Sequence, residues 1–197
     1  YTGFFGFFQK ATGGLFLLLV GVNLALSYER EKGGFEKKFL KKSLKTFFFA
    51  FLLTIFTMVF FKDRVIFFGI LHLIAFSILF SVFFVQKKTV SLFTGLGAIF
   101  LPSLVDISSF KVPALEFAGF AASRASLDFF PVFPWFGAVL LGIFLGKVFY
   151  PKGKPKINLP KPDYKIIGIL DFLGKNSLFI YFIHQPMLFG LLILATG

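Results

Sequence analysis

Cysteine is absent from the 197 residues, which excludes a disulfide framework and a thiol nucleophile. Acidic side chains are scarce, nine against twenty-one Lys and Arg, and histidine occurs only twice. Charged residues of both signs make up only 15% of the chain, too few to cover the surface of an ordinary water-soluble domain. What replaces them is apolar: 57% of the residues are hydrophobic, 35 are Phe, and the mean hydropathy is +0.86. Such a composition belongs in a bilayer.

A spanning helix needs about 20 mostly apolar residues at 1.5 Å each to cross a hydrocarbon core of about 30 Å. Six stretches qualify, at roughly 10–28, 46–61, 65–85, 89–105, 132–150 and 176–195, the second and fourth being short. Their runs are continuous, whereas barrel strands alternate apolar and polar residues. The expected fold is therefore an all-α integral membrane protein, one transmembrane domain over 1–197 with about six spans. The chain starts at Tyr1 with no signal-peptide layout. A further span ahead of residue 1, giving seven in the intact protein, is expected from this start and from the topology below.

The net charge of +12 suggests nucleic acid until its placement is inspected. The segment "EREKGGFEKKFLKKSLK" holds seven Lys or Arg, "QKK" two and "PKGKPKINLPKPDYK" five; with Lys147 and Lys175, sixteen of the twenty-one fall on one side of the expected bilayer. Those sixteen face the cytoplasm by the positive-inside rule, which leaves both Tyr1 and Gly197 extracytoplasmic and no nucleic-acid partner. In the first of these loops Phe35, Phe39 and Leu40 recur at helical spacing, as in a short amphipathic helix lying among anionic headgroups. A solvated charge run, or a cradle for a phosphorylated cofactor, fits the same residues. The Pro and Lys alternation at 151–162 reads as a semi-rigid linker.

The longest non-helical stretch, 106–131, is too apolar for disorder and is expected to fold back over the outer face. It ends in "SLDFFPVFPWFG". There Asp128 either caps the coming helix or serves as a proton acceptor, with Pro131 and Pro134 in the first turn and Trp135 at the interface. Gly137, Gly142 and Gly146 allow close helix contact, within one chain or in a homodimer or larger assembly.

Both histidines lie inside apolar runs, His72 in "FFGILHLIAF" and His184 in "YFIHQP". His72 is expected about 11 Å from the outer end of its span and His184 about 12 Å from the inner end of its own. Ser177, Tyr181, His184 and Gln185 share one helix face with Asn176 beside them, a stripe that either bonds helices together or lines a wet cavity. Gly69 leaves a gap on the His72 face. No metal site is expected.

The runs "FFGILHLIAFSILF", "SLDFFPVFPWFGAVLLGIFLGKVFYP" and "LGKNSLFIYFIHQPMLFGLL", in this order, resemble the bacterial and archaeal members of the heparan-α-glucosaminide N-acetyltransferase catalytic-domain family, with "GGLFLLLVGVNLALSYER" similar to its second span. The resemblance covers nearly the whole chain. It implies transfer of an acetyl or other acyl group from cytosolic acetyl-CoA or acyl-CoA to the amine or hydroxyl of an extracytoplasmic glycan or glycolipid, in a prokaryotic plasma membrane. The family's opening span, which carries an Asp and an Arg-Gly pair, has no counterpart here. On this reading the catalytic candidates are His72, His184 and Asp128. Lys147, Lys175, Asn176 and Ser177 form the acyl-CoA side, and Arg64, Trp135, Tyr181 and Gln185 the acceptor side. The rival expectation is a multi-span protein without catalysis, a transporter or an accessory subunit, whose histidines are buried and hydrogen-bonded.

Overall fold

The computed structural model describes residues 3–31, 33–60, 65–104, 118, 126, 128–156 and 164–196. Among these, every regular element is helical: α1 (Phe4–Arg30), α2 (Phe35–Phe60), α3 (Ile70–Phe80) continued by a 3₁₀ turn (Ser81–Phe83), α4 (Lys88–Leu104), α5 (Val132–Phe149), a second 3₁₀ turn (Pro151–Gly153), α6 (Tyr164–Lys175) and α7 (Ser177–Thr196). They fall into two compact units, residues 1–157 and 158–197.

Among the described residues three helices are, by length and composition, long and apolar enough to cross a bilayer: Gly6–Arg30 within α1, Phe35–Phe60 and Val132–Phe149. All three cover runs read from the sequence. Two others are shorter than a full crossing, Ile70–Phe83 and Lys88–Leu104. At 1.5 Å per residue the first of these reaches about 21 Å, so the span expected over 65–85 is helical for only part of its length.

In the first unit, glycines set the spacing. A Cβ placed on Gly142 would lie 2.9 Å from the Leu18 carbonyl carbon and 3.0 Å from Gly21 Cα, and one on Gly21 would lie 2.8 Å from Ile143 N. Gly146 likewise faces Val22 and Ala25. Residue numbers on α1 and α5 rise together, so the two helices run parallel, backbone against backbone, as small residues permit in lipid. These glycines pack within one chain. On its other side α5 meets α4 in antiparallel fashion, Gly137 against Gly95 and Ile99.

Helix α2 pairs antiparallel with α3, through the Ser43 hydroxyl donating to Ala75 O at 2.8 Å and Thr54 reaching Ile66 O at 2.7 Å. Phe76 and Phe84 set their rings against Phe136 of α5 at 5.7 and 5.9 Å. The amphipathic headgroup helix expected around residues 35–40 is instead the opening turns of α2. Phe35 and Phe39 are 6% and 1% exposed, and Phe35 meets Tyr28 of α1 edge-on at 4.8 Å. Burial against the protein wins over contact with headgroups, and only Leu40 of the three stays exposed.

Candidate functional site

Where the sequence suggests helix from residue 65, the structure has irregular backbone up to Gly69. Val65 and Ile66 are buried there, and buried peptide groups need partners. Side chains from other elements supply them. Thr57 Oγ1 accepts the Ile66 N–H at 3.1 Å, Thr54 Oγ1 donates to Ile66 O, and Ser126 Oγ donates to Val65 O at 3.0 Å. Phe130 N–H adds a bond to Phe68 O at 3.1 Å. With these bonds made, helix formation is deferred to Ile70.

The start of α3 binds two of the sequence candidates. Asp128 Oδ2 accepts the Ile70 N–H at 2.9 Å, and His72 Nδ1 accepts the Gly69 N–H at 3.3 Å. Consecutive amides at one helix N-terminus thus hold a carboxylate and an imidazole. Spacing along the chain suggests Asp128 as a cap for the helix that follows it. It caps α3, 58 residues earlier, where the partial positive charge of the helix end favours an anion. The gap left by Gly69 is filled by this carboxyl group. A Cβ on Gly69 would collide with Asp128 Oδ2 and would stand 2.8 Å from Ile66 Cγ2.

His72 is in the first turn of α3 rather than about 11 Å into a helix, because residues 65–69 are not helical. Nδ1 is occupied as an acceptor, which assigns the proton of the neutral ring to Nε2. Nε2 lies 3.4 Å from Thr54 Oγ1, whose own hydrogen goes to Ile66 O. Nε2 therefore holds the α2–α3 contact and Nδ1 the start of α3, and base chemistry at Nδ1 requires release of the Gly69 amide. Phe68 covers the ring at a centroid distance of 5.8 Å.

Asp128 is placed differently. Ser126 Oγ donates to its backbone carbonyl at 2.9 Å, and Oδ2 is held by Ile70. Among the described residues Oδ1 accepts no hydrogen bond. Burial pushes the carboxyl above its ordinary value of 3.8, opposed by the Ile70 amide. A desolvated carboxyl with one open oxygen is suited to accepting a proton. Trp135 lies beside this region, its ring 5.1 Å from that of Phe130 and its edge against Gly14 of α1, where it packs α5 on α1.

The opposite, lysine-rich end of the unit contains an open cleft of about 250 Å³ lined by Glu29, Gln86, Lys88, Lys147, Tyr150, Pro151 and Lys152. Lys147 is committed within it. Its ammonium donates to Gln86 O at 3.1 Å, stands 3.7 Å from Glu29 Oε1 and lies 4.8 Å over the Tyr28 ring. It thereby ties the end of α1 to the α3–α4 turn. Lys88 and Lys152 are exposed cations with no ion pair among the described residues. They fit a phosphate-bearing ligand as Lys147 alone does not.

In the second unit, Lys175 pairs with Asp171 one turn earlier at 2.5 Å. The Asn176 amide donates to Phe172 O at 2.9 Å, closing the end of α6. Ser177 opens α7, which also carries His184. The side chains of Tyr181 and Gln185, and all of Arg64, lie outside the described residues. Thr54, Thr57 and Ser126 escaped the sequence reading; the two threonines, three apart in a Phe-rich span, are the signal that was available.

A model of the family described as "Heparan-alpha-glucosaminide N-acetyltransferase, catalytic" matches residues 1–186. No curated protein and no solved structure matches the chain.

Proposed function

Because the chain belongs to the heparan-alpha-glucosaminide N-acetyltransferase catalytic family, we propose that it is a membrane-bound acyltransferase that takes an acetyl or similar acyl group from acyl-CoA and delivers it to a glycan amine or hydroxyl on the other face of the bilayer. The observation that carries this reading is the division of the first unit. A basic cleft stands at one end of α5, and a buried carboxyl with an open oxygen stands at the other. The 18 residues of α5 separate them by about 27 Å. Donor and acceptor then approach from opposite faces, the lysine-rich one being cytoplasmic.

Lys88 and Lys152 would hold the anionic phosphates of the donor, with Lys147 fixing the shape of the cleft. The bound thioester supplies an activated carbonyl. Asp128 takes the proton from the attacking amine or hydroxyl through Oδ1 as the new C–N or C–O bond forms and the thioester C–S bond breaks, CoA leaving as its thiol with that proton, while Oδ2 stays fixed on the Ile70 amide. Gly69, Ser126 and Ile70 orient that carboxyl. His72 maintains the helix start from which it works.

The test is transfer of radiolabel from acetyl-CoA to candidate amino sugars and glycolipids by the full chain in vesicles. Asp128→Asn should abolish transfer without loss of folded protein, and Lys88→Gln with Lys152→Gln should raise KM for the donor while kcat holds. Absence of transfer with every acceptor, or full activity of Asp128→Asn, overturns the proposal.

A further inference from the structure

Helix α6 is 12 residues long, about 18 Å, too short to cross a bilayer. One residue, Asn176, joins it to α7, whose 20 residues match the hydrocarbon thickness at about 30 Å. If α7 spans, the C-terminal end of α6 sits at headgroup level. At 100° per residue Ile169, Leu170 and Leu173 share one side of α6, whereas Gly168, Asp171 and Lys175 share the opposite side. The apolar side is open, with Ile169, Leu170 and Leu173 exposing between 45% and 62% of their surface, while Phe172 falls nearer the other side. The polar side is closed by the Asp171–Lys175 pair. In the sequence Lys161 lies just ahead of α6 and Lys165 in its first turn.

From the helix length, its tether to α7 and this charge we infer that α6 is an interfacial helix. It lies in the headgroup layer of an anionic leaflet, with Ile169, Leu170 and Leu173 turned into the acyl boundary and the lysines on lipid phosphate. Neither face is suited to any other orientation at that depth, since open apolar side chains cannot face water at low cost and Asp171 and Lys175 cannot face hydrocarbon. The inference rests on α7 as a span and not on catalysis, so an inactive protein leaves it intact.

The absence of cysteine makes the test direct, because each single-Cys variant carries one spin label without background. The full chain, labelled in turn at Gly168→Cys, Ile169→Cys, Asp171→Cys, Leu173→Cys and Lys175→Cys, is reconstituted in vesicles of phosphatidylcholine with phosphatidylglycerol. Collision with oxygen and with a water-soluble nickel chelate then reports depth. Positions 169 and 173 are expected about 5–10 Å below the headgroups and positions 168, 171 and 175 in water. In phosphatidylcholine alone the two deep positions should become shallower. Labels at 169 and 173 shielded from both reagents would place α6 against protein and overturn the inference. Equal water access at all five positions, or identical depth in both vesicles, would do so as well.

Discussion

Replacing Gly69 by Ala should destabilise the protein through Asp128 rather than through the backbone. Gly69 has φ −93° and ψ −175°, an extended conformation that Ala adopts freely, so the substitution would ordinarily gain up to about 1 kcal/mol from the unfolded chain. The added methyl, however, occupies the position of Asp128 Oδ2 and stands 2.8 Å from Ile66 Cγ2. Moving the carboxyl breaks its bond to Ile70 N–H, a cap worth about 1–2 kcal/mol, and overpacking adds about 1–3 kcal/mol. The net loss is about 2 kcal/mol, or about 4–8 °C in Tm for a chain of this size. Thermal unfolding of the vesicle-reconstituted protein measures it, with Gly97→Ala as control, since a Cβ on Gly97 meets nothing within 4 Å. In the Gly69→Ala/Asp128→Ala pair the losses should be less than additive, because the clash and the cap involve the same carboxyl. Equal Tm for Gly69→Ala and Gly97→Ala, or simple additivity, would refute the reasoning.

Other substitutions probe the remaining contacts. Gly142→Ala drives a methyl into the Leu18 carbonyl of α1, where backbone cannot yield, and should lower Tm by more than Gly69→Ala does, while Gly190→Ala in open space should not. Thr54→Val removes the partner of His72 Nε2 and Ile66 O and should cost about 1–3 kcal/mol, most of it restored by Thr54→Ser in the same unfolding assay. Because the folded-state pKa of Asp128 is raised above 3.8, its neutral form is the better accommodated. Its stability contribution is present below 3.8 and lost as pH rises through the raised value. Wild type should therefore lose stability relative to Asp128→Asn over that rise, and a pH-independent Tm difference between the two would contradict it.

The helices α1, α2 and α5 were legible because their cause is local: a continuous apolar run in lipid must satisfy its backbone bonds within itself. The close approach of α5 was foreshadowed by its glycines, although not the identity of its partner, Gly21. What escaped the sequence is what depends on distant chain. The irregular segment before Ile70 relies on Thr54, Thr57 and Ser126, the last 61 residues away from Val65. Asp128 was recognised as a capping residue, but spacing along the chain favoured the following helix, and only the folded chain brings α3 within its reach. The early start of α2 was hidden by lysines at 37, 38, 41, 42 and 45, which read as loop while Phe35, Phe39 and Ser43 between them turn inward.

The shortness of α3 links this outcome to function. Its helical part is about 9 Å shorter than a hydrocarbon core of about 30 Å, and the residues ahead of it, 65–69, are non-helical. Where such backbone is buried, its peptide groups need partners from elsewhere in the chain. Three hydroxyls, from Thr54, Thr57 and Ser126, and the Phe130 amide take up its bonding groups. A plain helix over 65–85 would have needed none of them, but it would have tied the Ile70 amide to Ile66 O and left it unable to bind a carboxylate. By starting α3 late the fold exposes the Ile70 amide to Asp128 and keeps the other carboxyl oxygen open. The polar groups expended on the irregular segment are thus the means by which an acid is held, desolvated and oriented, at the end of the protein away from its lysines.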